Sequence, residues 1–298
     1  MNGQGGNGMN KGAVLKLSAS MIIFGTIGFF SNVTGLPVLE LIFLRCVCAT
    51  LFLMGYWLVS GRYKAEIWDR KELVYIILSG LFLVLNWLLL FYAFRATSIT
   101  IAISIYNLAP LIALFINFVL FKERVEMRIV MATAVAFLGT VLITFQFGQS
   151  FAGTQSIGAV CALLAAVFYG AIISLGRNIK KASSYMTTFI QTSIGIVMLL
   201  PFVSFVSYVH LSQQELVFSI VTGIVHTGIV YLLFYDSLRY LSAGIASVLL
   251  FLDPLVAILL DVFITGFMPG IVQIIGIIII FASLGYTLKY SNKPAAGK

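Results

Sequence analysis

The sequence predicts an all-α integral membrane protein, with ten transmembrane helices forming an inverted repeat of two five-helix units. Three observations carry that prediction. Of 298 residues, 61% are hydrophobic and 9% charged, against roughly 45–50% and about 25% in a soluble domain. Ten apolar runs, each near the roughly 20 residues that a bilayer-spanning helix needs, are bounded by charge, Gly or Pro. A shift of 144 residues lays the first five runs on the second five without a gap, the mark of a tandem duplication. A chain so largely membrane leaves no room for an extramembrane catalytic or nucleic-acid-binding domain. Its net charge of +8 is therefore loop charge rather than a patch for nucleic acid.

Taken in order, residues 1–12 are polar and Gly-rich and read as a disordered lead-in. The first helix covers 13–31; it follows Lys11 as a signal peptide would, but is long enough to span and has no cleavage site after it. Helices at 38–59, 73–93, 98–120 and 127–147 complete the first unit, 13–147. The second unit, 157–289, holds helices at 157–177, 184–207, 216–236, 243–263 and 269–289, and residues 290–298 form a tail. Of 18 Lys and Arg, all but Arg45 and Arg95 fall on one side of this arrangement, so the positive-inside rule puts that side and both termini in the cytoplasm. An odd number of helices per unit makes the second enter from the opposite face. Many secondary transporters are built this way, with a site at the midplane between the halves.

The repeat is clearest where Phe91–Phe115 aligns with Tyr235–Leu259, through Arg95/Arg239, Ser98/Ser242, Ile101/Ile245, Ala102/Ala246, Leu108/Leu252, Pro110/Pro254, Leu111/Leu255 and Ala113/Ala257. The stretch YAFRATSITIAISIYNLAPLIALFINFVLFKER, Tyr92–Arg124, followed by a fifth helix bearing Gly139, resembles the signature of the EamA-type proteins of the drug/metabolite transporter superfamily. The resemblance covers essentially the whole chain. Its acidic residue after helix 4 is met by Glu123, whereas Gly266 and Phe267 stand at the matching place in the second half. The resemblance implies a multi-pass protein of the bacterial inner (cytoplasmic) membrane that exports amino acids or related small metabolites by alternating access. It also implies that helices 1, 3, 4, 6, 8 and 9 enclose the cavity, with 5 and 10 outside.

Within this frame a few residues carry chemistry. Asp253 lies mid-helix before Pro254, where a carboxylate costs about 2.5–3.5 kcal/mol on the insertion scale. It either faces the cavity, to bind an ammonium or a proton, or caps backbone groups freed by the proline. The equivalent position in the first half is Ala109, with the amide of Asn107 nearby. His226, at the middle of helix 8, is either a titrating relay or a neutral hydrogen-bonder, and the short turn between helices 8 and 9 would bring it near Asp253 as a proton site. Trp87 repeats as Tyr231 and Phe91 as Tyr235. With Asn86, Tyr106 and Tyr169, these rings would line a pocket for flat or cationic substrates, unless they serve packing alone. Pro110 and Pro254 form a symmetric pair of kinks suited to a gate.

The remaining features read as structural. Arg45 is expected to snorkel to the interface or pair with Glu40. Ala162, Ala166 and Gly170 on helix 6, and Gly25 and Gly28 on helix 1, read as surfaces for close packing. Cys46, Cys48 and Cys161 sit in apolar runs and form neither a disulfide framework nor a metal site. The sequence has no Walker loop, HExxH or GxSxG motif, so no cofactor or enzymatic activity is expected and a solute or proton gradient must drive transport. Two other readings remain open: an importer of a cationic amine, suggested by Asp253 among aromatics, and a non-transporting receptor or scaffold.

Overall fold

A computed structural model of the chain describes residues 10–97, 99–123, 125–144, 154–265 and 268–291. The expected lead-in at 1–9, most of the C-terminal tail, Ser98, Arg124, Gly266 and Phe267 lie outside the described residues. Helix α1 is in two pieces, Lys11–Gly25 and Ile27–Val33, followed by α2 (Val38–Val59) and α3 (Arg70–Ala96). Helix α4 is likewise split into Ile99–Tyr106 and Ala109–Val119, and α5 is Met127–Thr144. The second unit holds α6 (Thr154–Arg177) and α7 (Ser184–Leu199). Its α8 runs Gln213–Gly223, through a π-helical segment Ile224–Ile229, to Val230–Leu238. Helix α9 is split into Ala243–Leu249 and Leu252–Leu260, and α10 is Ile271–Ser291. Among the described residues, nine helices are long and apolar enough to cross a membrane and α5 is a shorter apolar one, so the chain folds as two five-helix units of all-α membrane protein.

The boundaries depart from expectation where a cap or a proline decides them. Asn10 accepts the Ala13 N–H at 3.1 Å, which brings Lys11 and Gly12 into α1 instead of the lead-in. Asp69 caps α3 by accepting the N–H groups of Lys71 and Glu72, both at 3.1 Å, so this helix starts at Arg70 rather than 73. The expected seventh helix does not reach residue 207. It ends at Leu199, because Pro201 has no N–H to continue the ladder, and the chain turns through Leu200–Phe202 into a single helical turn, Val206–Val209. At the other end, α10 carries Tyr290 and Ser291, which the sequence assigned to the tail.

The two units interlock by exchanging partners. Helix α1 packs on α8 and α9, as α6 packs on α3 and α4, and α2 lies against α7 and α8. The α5–α10 pair packs chiefly on itself, touches α4 and α9, and runs antiparallel: Arg128 sits over the Tyr290 ring, Gly139 faces Gly276, and Gln273 Nε2 donates to the Ile143 carbonyl at 3.2 Å. Opposed polarity of repeat-related helices is the geometric content of an inverted repeat. The two glycines let the backbones touch, since a Cβ on Gly276 would lie 2.5 Å from the Gly139 carbonyl oxygen.

All four ion pairs among the described residues lie on the face that carries most of the Lys and Arg. Three of them join the units: Lys16–Asp236, Asp69–Lys181 and Glu123–Arg177, each at 2.5 Å. Asp69 is held below the usual carboxylate range chiefly by its hydrogen bond from Lys181. Glu72 accepts the N–H groups of Lys180, Lys181 and Ala182 at 2.9–3.0 Å, and Glu66 binds both the N–H and the hydroxyl of Ser183. Glu123 also accepts the Ala243 N–H at 3.1 Å, so the acid after helix 4 clamps the end of α6 to the start of α9.

Because the α5–α10 contact has no room for a side chain, Gly276→Leu should lower stability by about 1–3 kcal/mol, the usual cost of overpacking. Thermal unfolding of the detergent-purified protein measures this, and an unchanged midpoint would mean that the two helices are not in contact.

Candidate functional site at the broken helices

The interruptions in α1, α4, α8 and α9 lie against one another. Helix α1 breaks at Thr26, whose hydroxyl donates to the Ile23 carbonyl at 2.7 Å. The break in α9 abuts it, since a Cβ on Gly25 would lie 2.7 Å from the Asp253 carbonyl oxygen. The π segment of α8 reaches the same place through His226, whose Nε2 is 2.8 Å from the Thr26 hydroxyl. Helices α4 and α9 cross where Ser247 Oγ donates to the Pro110 carbonyl at 3.0 Å. A π segment within an α-helix is itself frequent at functional sites.

The prolines sit where the kinks are expected. Both Pro110 and Pro254 lie in the first turn of a second helical segment, just after a tightened turn in which Leu108 bonds back to Ile105 at 3.0 Å and Phe251 to Val248 at 3.2 Å. The missing N–H is harmless there, because the first turn has no intrahelical acceptor for it. Asp253 consequently occupies the opening turn of a half-helix, the end where the helix dipole favours negative charge.

Most of the sequence-selected residues converge on this region. Trp87 and Tyr231 meet edge to face at 6.2 Å, Phe24 abuts Tyr231 at 5.2 Å, and Tyr231 lies on Tyr235 at 6.0 Å. Tyr106 and Tyr169 are stacked at 5.3 Å with their planes 4° apart. The Tyr106 hydroxyl donates to Asn86 Oδ1 at 3.4 Å, while the Asn86 amide is anchored on the Ala165 carbonyl at 2.7 Å. The Asp253 carboxylate is only partly buried, and it makes no hydrogen bond or ion pair among the described residues, to freed backbone or otherwise. Asn107 Nδ2 is buried without a hydrogen-bond partner.

His226 and Asp253 do not form the expected pair. Helix α1 packs on both α8 and α9, and His226 bonds Thr26 and lies on Phe30 at 4.8 Å. The direction of the Thr26–His226 hydrogen bond follows the imidazole tautomer. His226 is 1% exposed, and its Nδ1 has no partner.

Arg45 is the residue that sequence reasoning placed wrongly. It neither snorkels nor pairs with Glu40, which accepts the Ser204 N–H at 3.2 Å. Arg45 is instead 2% exposed, donating from Nε to the Thr227 hydroxyl at 3.0 Å, with its guanidinium carbon 5.0 Å from the centre of the Trp87 ring. Two glycines draw α2 this far inward: a Cβ on Gly195 would meet Cys46 Sγ at 2.6 Å, and one on Gly223 would come within 3.3 Å of the Arg45 backbone. The signal was present in the small residues Cys46 and Ala49 on the arginine's own helical face, opposite lipid-facing Leu51 and Leu58.

Comparison with known proteins agrees with the architecture. The fold matches a solved crystal structure with a TM-score of 0.79 at 18% identity, covering 92% of this chain and 96% of the other. A protein of Bacillus subtilis (strain 168) named an uncharacterized transporter, YxxF, is 47% identical over 277 residues, 93% of this chain and 89% of its own length. The riboflavin transporter ImpX of Fusobacterium nucleatum is 27% identical over 195 residues, 62% of this chain and 65% of its own. The EamA-like transporter family matches residues 11–145 and 156–288, one match to each five-helix unit. By that double match and by its close relative, the chain belongs to the EamA-like transporter family.

Proposed function

We infer that this transporter exports a small organic metabolite, an amino acid or a related compound, across the bacterial inner membrane by alternating access, with both termini in the cytoplasm. The observation that carries the reading is the unpaired Asp253 carboxylate at the junction of four interrupted helices, in a bundle that also holds the Trp87–Tyr231 and Tyr106–Tyr169 ring pairs. Ionisable groups at membrane depth face an interior or water and mark pathways. The polar ties between units on the basic face are the contacts that must open and re-form as the halves rock, and Pro110 and Pro254 flank the pivot. Protons are the coupling partner that Asp253 suits. The flat rings, together with the ring-bearing cargo named for the Fusobacterium relative, favour a planar substrate. An amine importer is the second reading, favoured by the same carboxylate.

Proteoliposome counterflow with amino acids, amines, nucleosides and flavins tests this directly. At least one flat solute is expected to exchange faster than in empty vesicles; no flux from folded protein would support the receptor or scaffold reading. Orientation is checked in a chain cleared of Cys46, Cys48 and Cys161. Ser60→Cys should react with an impermeant maleimide in inside-out vesicles and not in intact cells.

Two site predictions accompany the flux assay. Asp253→Asn should fold and insert but lose most transport, because the amide keeps the shape and removes the charge; wild-type flux across pH would make Asp253 structural. Trp87→Ala and Tyr231→Ala should each weaken binding by about 0.5–2 kcal/mol, whereas Phe281→Ala on the exposed face of α10 should not. Equal losses in all three would reduce the aromatics to packing.

A further inference from the structure

Arg45 presents a buried cation with no anion beside it. Of its five N–H donors only Nε is used, on Thr227, and the Trp87 ring contact is a weak substitute for a counter-ion. Among the described residues no carboxylate pairs with it. Buried Arg177, by contrast, is fully engaged by Glu123, Asn117 Oδ1 at 2.8 Å and the Leu241 carbonyl. A charge removed from water and left unpaired is strongly destabilising, so the guanidinium at 2% exposure needs a partner that arrives from outside the chain.

Its neighbours describe that partner. Arg45 bonds Thr227, the residue after His226, and lies over Trp87, whose ring meets Tyr231 at 6.2 Å, so it shares its corner with that ring pair and with the imidazole whose Nδ1 has no partner. Arg45 and Asp253 form no ion pair with each other among the described residues.

We propose that the cargo of the central site carries a carboxylate or phosphate bound by the Arg45 guanidinium, with its ring against Tyr231 and any amine directed to Asp253. The assignment rests on reading the chain as a metabolite carrier and adds the sign of the charge that it selects. A charge-assisted contact from a planar guanidinium to such an oxyanion is the strong, oriented kind. The cargo is thus anionic or zwitterionic and not a simple amine.

Ring-matched probes on the purified full chain test it by isothermal calorimetry. The probes are L-tryptophan, indole-3-propionate and tryptamine, then riboflavin 5′-phosphate and riboflavin. Within a ring series, the anion-bearing probe is expected to bind at least about tenfold more tightly than its anion-free counterpart, equivalent to about 1.4 kcal/mol. Arg45→Gln should abolish that gap and Arg45→Lys should keep part of it. The wild-type comparison needs no variant, so it stands even if Arg45→Gln fails to fold. Tryptamine or riboflavin binding as tightly as its partner probe, or a wild-type chain that binds none of the anion-bearing probes, overturns the assignment. Flux of tryptamine with no anion preference would leave the carrier reading intact while this one falls. Anion-selective binding without flux would do the reverse.

Discussion

A membrane-spanning backbone must satisfy its own polar groups, and this constraint organises the protein. In hydrocarbon an unpaired N–H or C=O costs several kcal/mol, so an interrupted helix survives only where protein or a water-filled cavity surrounds it. The interruptions at Thr26, Asn107–Leu108, Ile224–Ile229 and Leu250–Phe251 therefore have to be gathered in one place. The unbroken α2, α3, α6 and α7 close around them, and the α5–α10 pair, whose exposed Ile278 and Phe281 suit lipid, covers α4 and α9 from outside. Side chains repair part of the lost ladder, as when Thr26 bonds Ile23 and Ser247 bonds Pro110 across two helices.

Charge falls into two populations. On the basic face several charges are paired: Arg177 with Glu123, Lys181 with Asp69, and Glu72 with three successive backbone N–H groups. Such ties fix which ends of the two units meet, and together they can be broken and remade without leaving a bare charge in lipid. In the interior, Arg45 and Asp253 are unmatched, and His226 Nδ1 and Asn107 Nδ2 lack partners as well. Paired groups hold the fold, whereas an unpaired charge at membrane depth marks a place that solute or water reaches.

Much of this architecture was legible before any coordinates. Lipid requires long apolar runs, so composition and the 144-residue repeat sufficed for ten helices and their inversion. The aromatics could be selected because the repeat placed Trp87 and Tyr231 at equivalent positions. What escaped depends on which way a helix faces and on backbone hydrogen bonding. A mid-helix proline reads as a kink, and the structure adds that the turns ahead of Pro110 and Pro254 tighten to bonds between residues three apart. The short turn between helices 8 and 9 and a similar depth put His226 near Asp253, but α1 packs on both of their helices. Arg45 lies close enough to the membrane edge to snorkel, and its inward rotation depends on glycines 195 and 223 on two other helices, far away in the chain.

The central claim is that water reaches the helix breaks while the surrounding spans stay dry. Hydrogen–deuterium exchange on the protein in lipid nanodiscs measures this residue by residue. Peptides covering Tyr106–Leu108, Ile224–Ile229 and Leu250–Asp253 should exchange much faster than peptides from the middle of α5 and α10 at similar depth. Equal, near-complete protection of both sets would contradict the account, because it would leave the breaks sealed in dry protein and Asp253 and Arg45 without access to any solute.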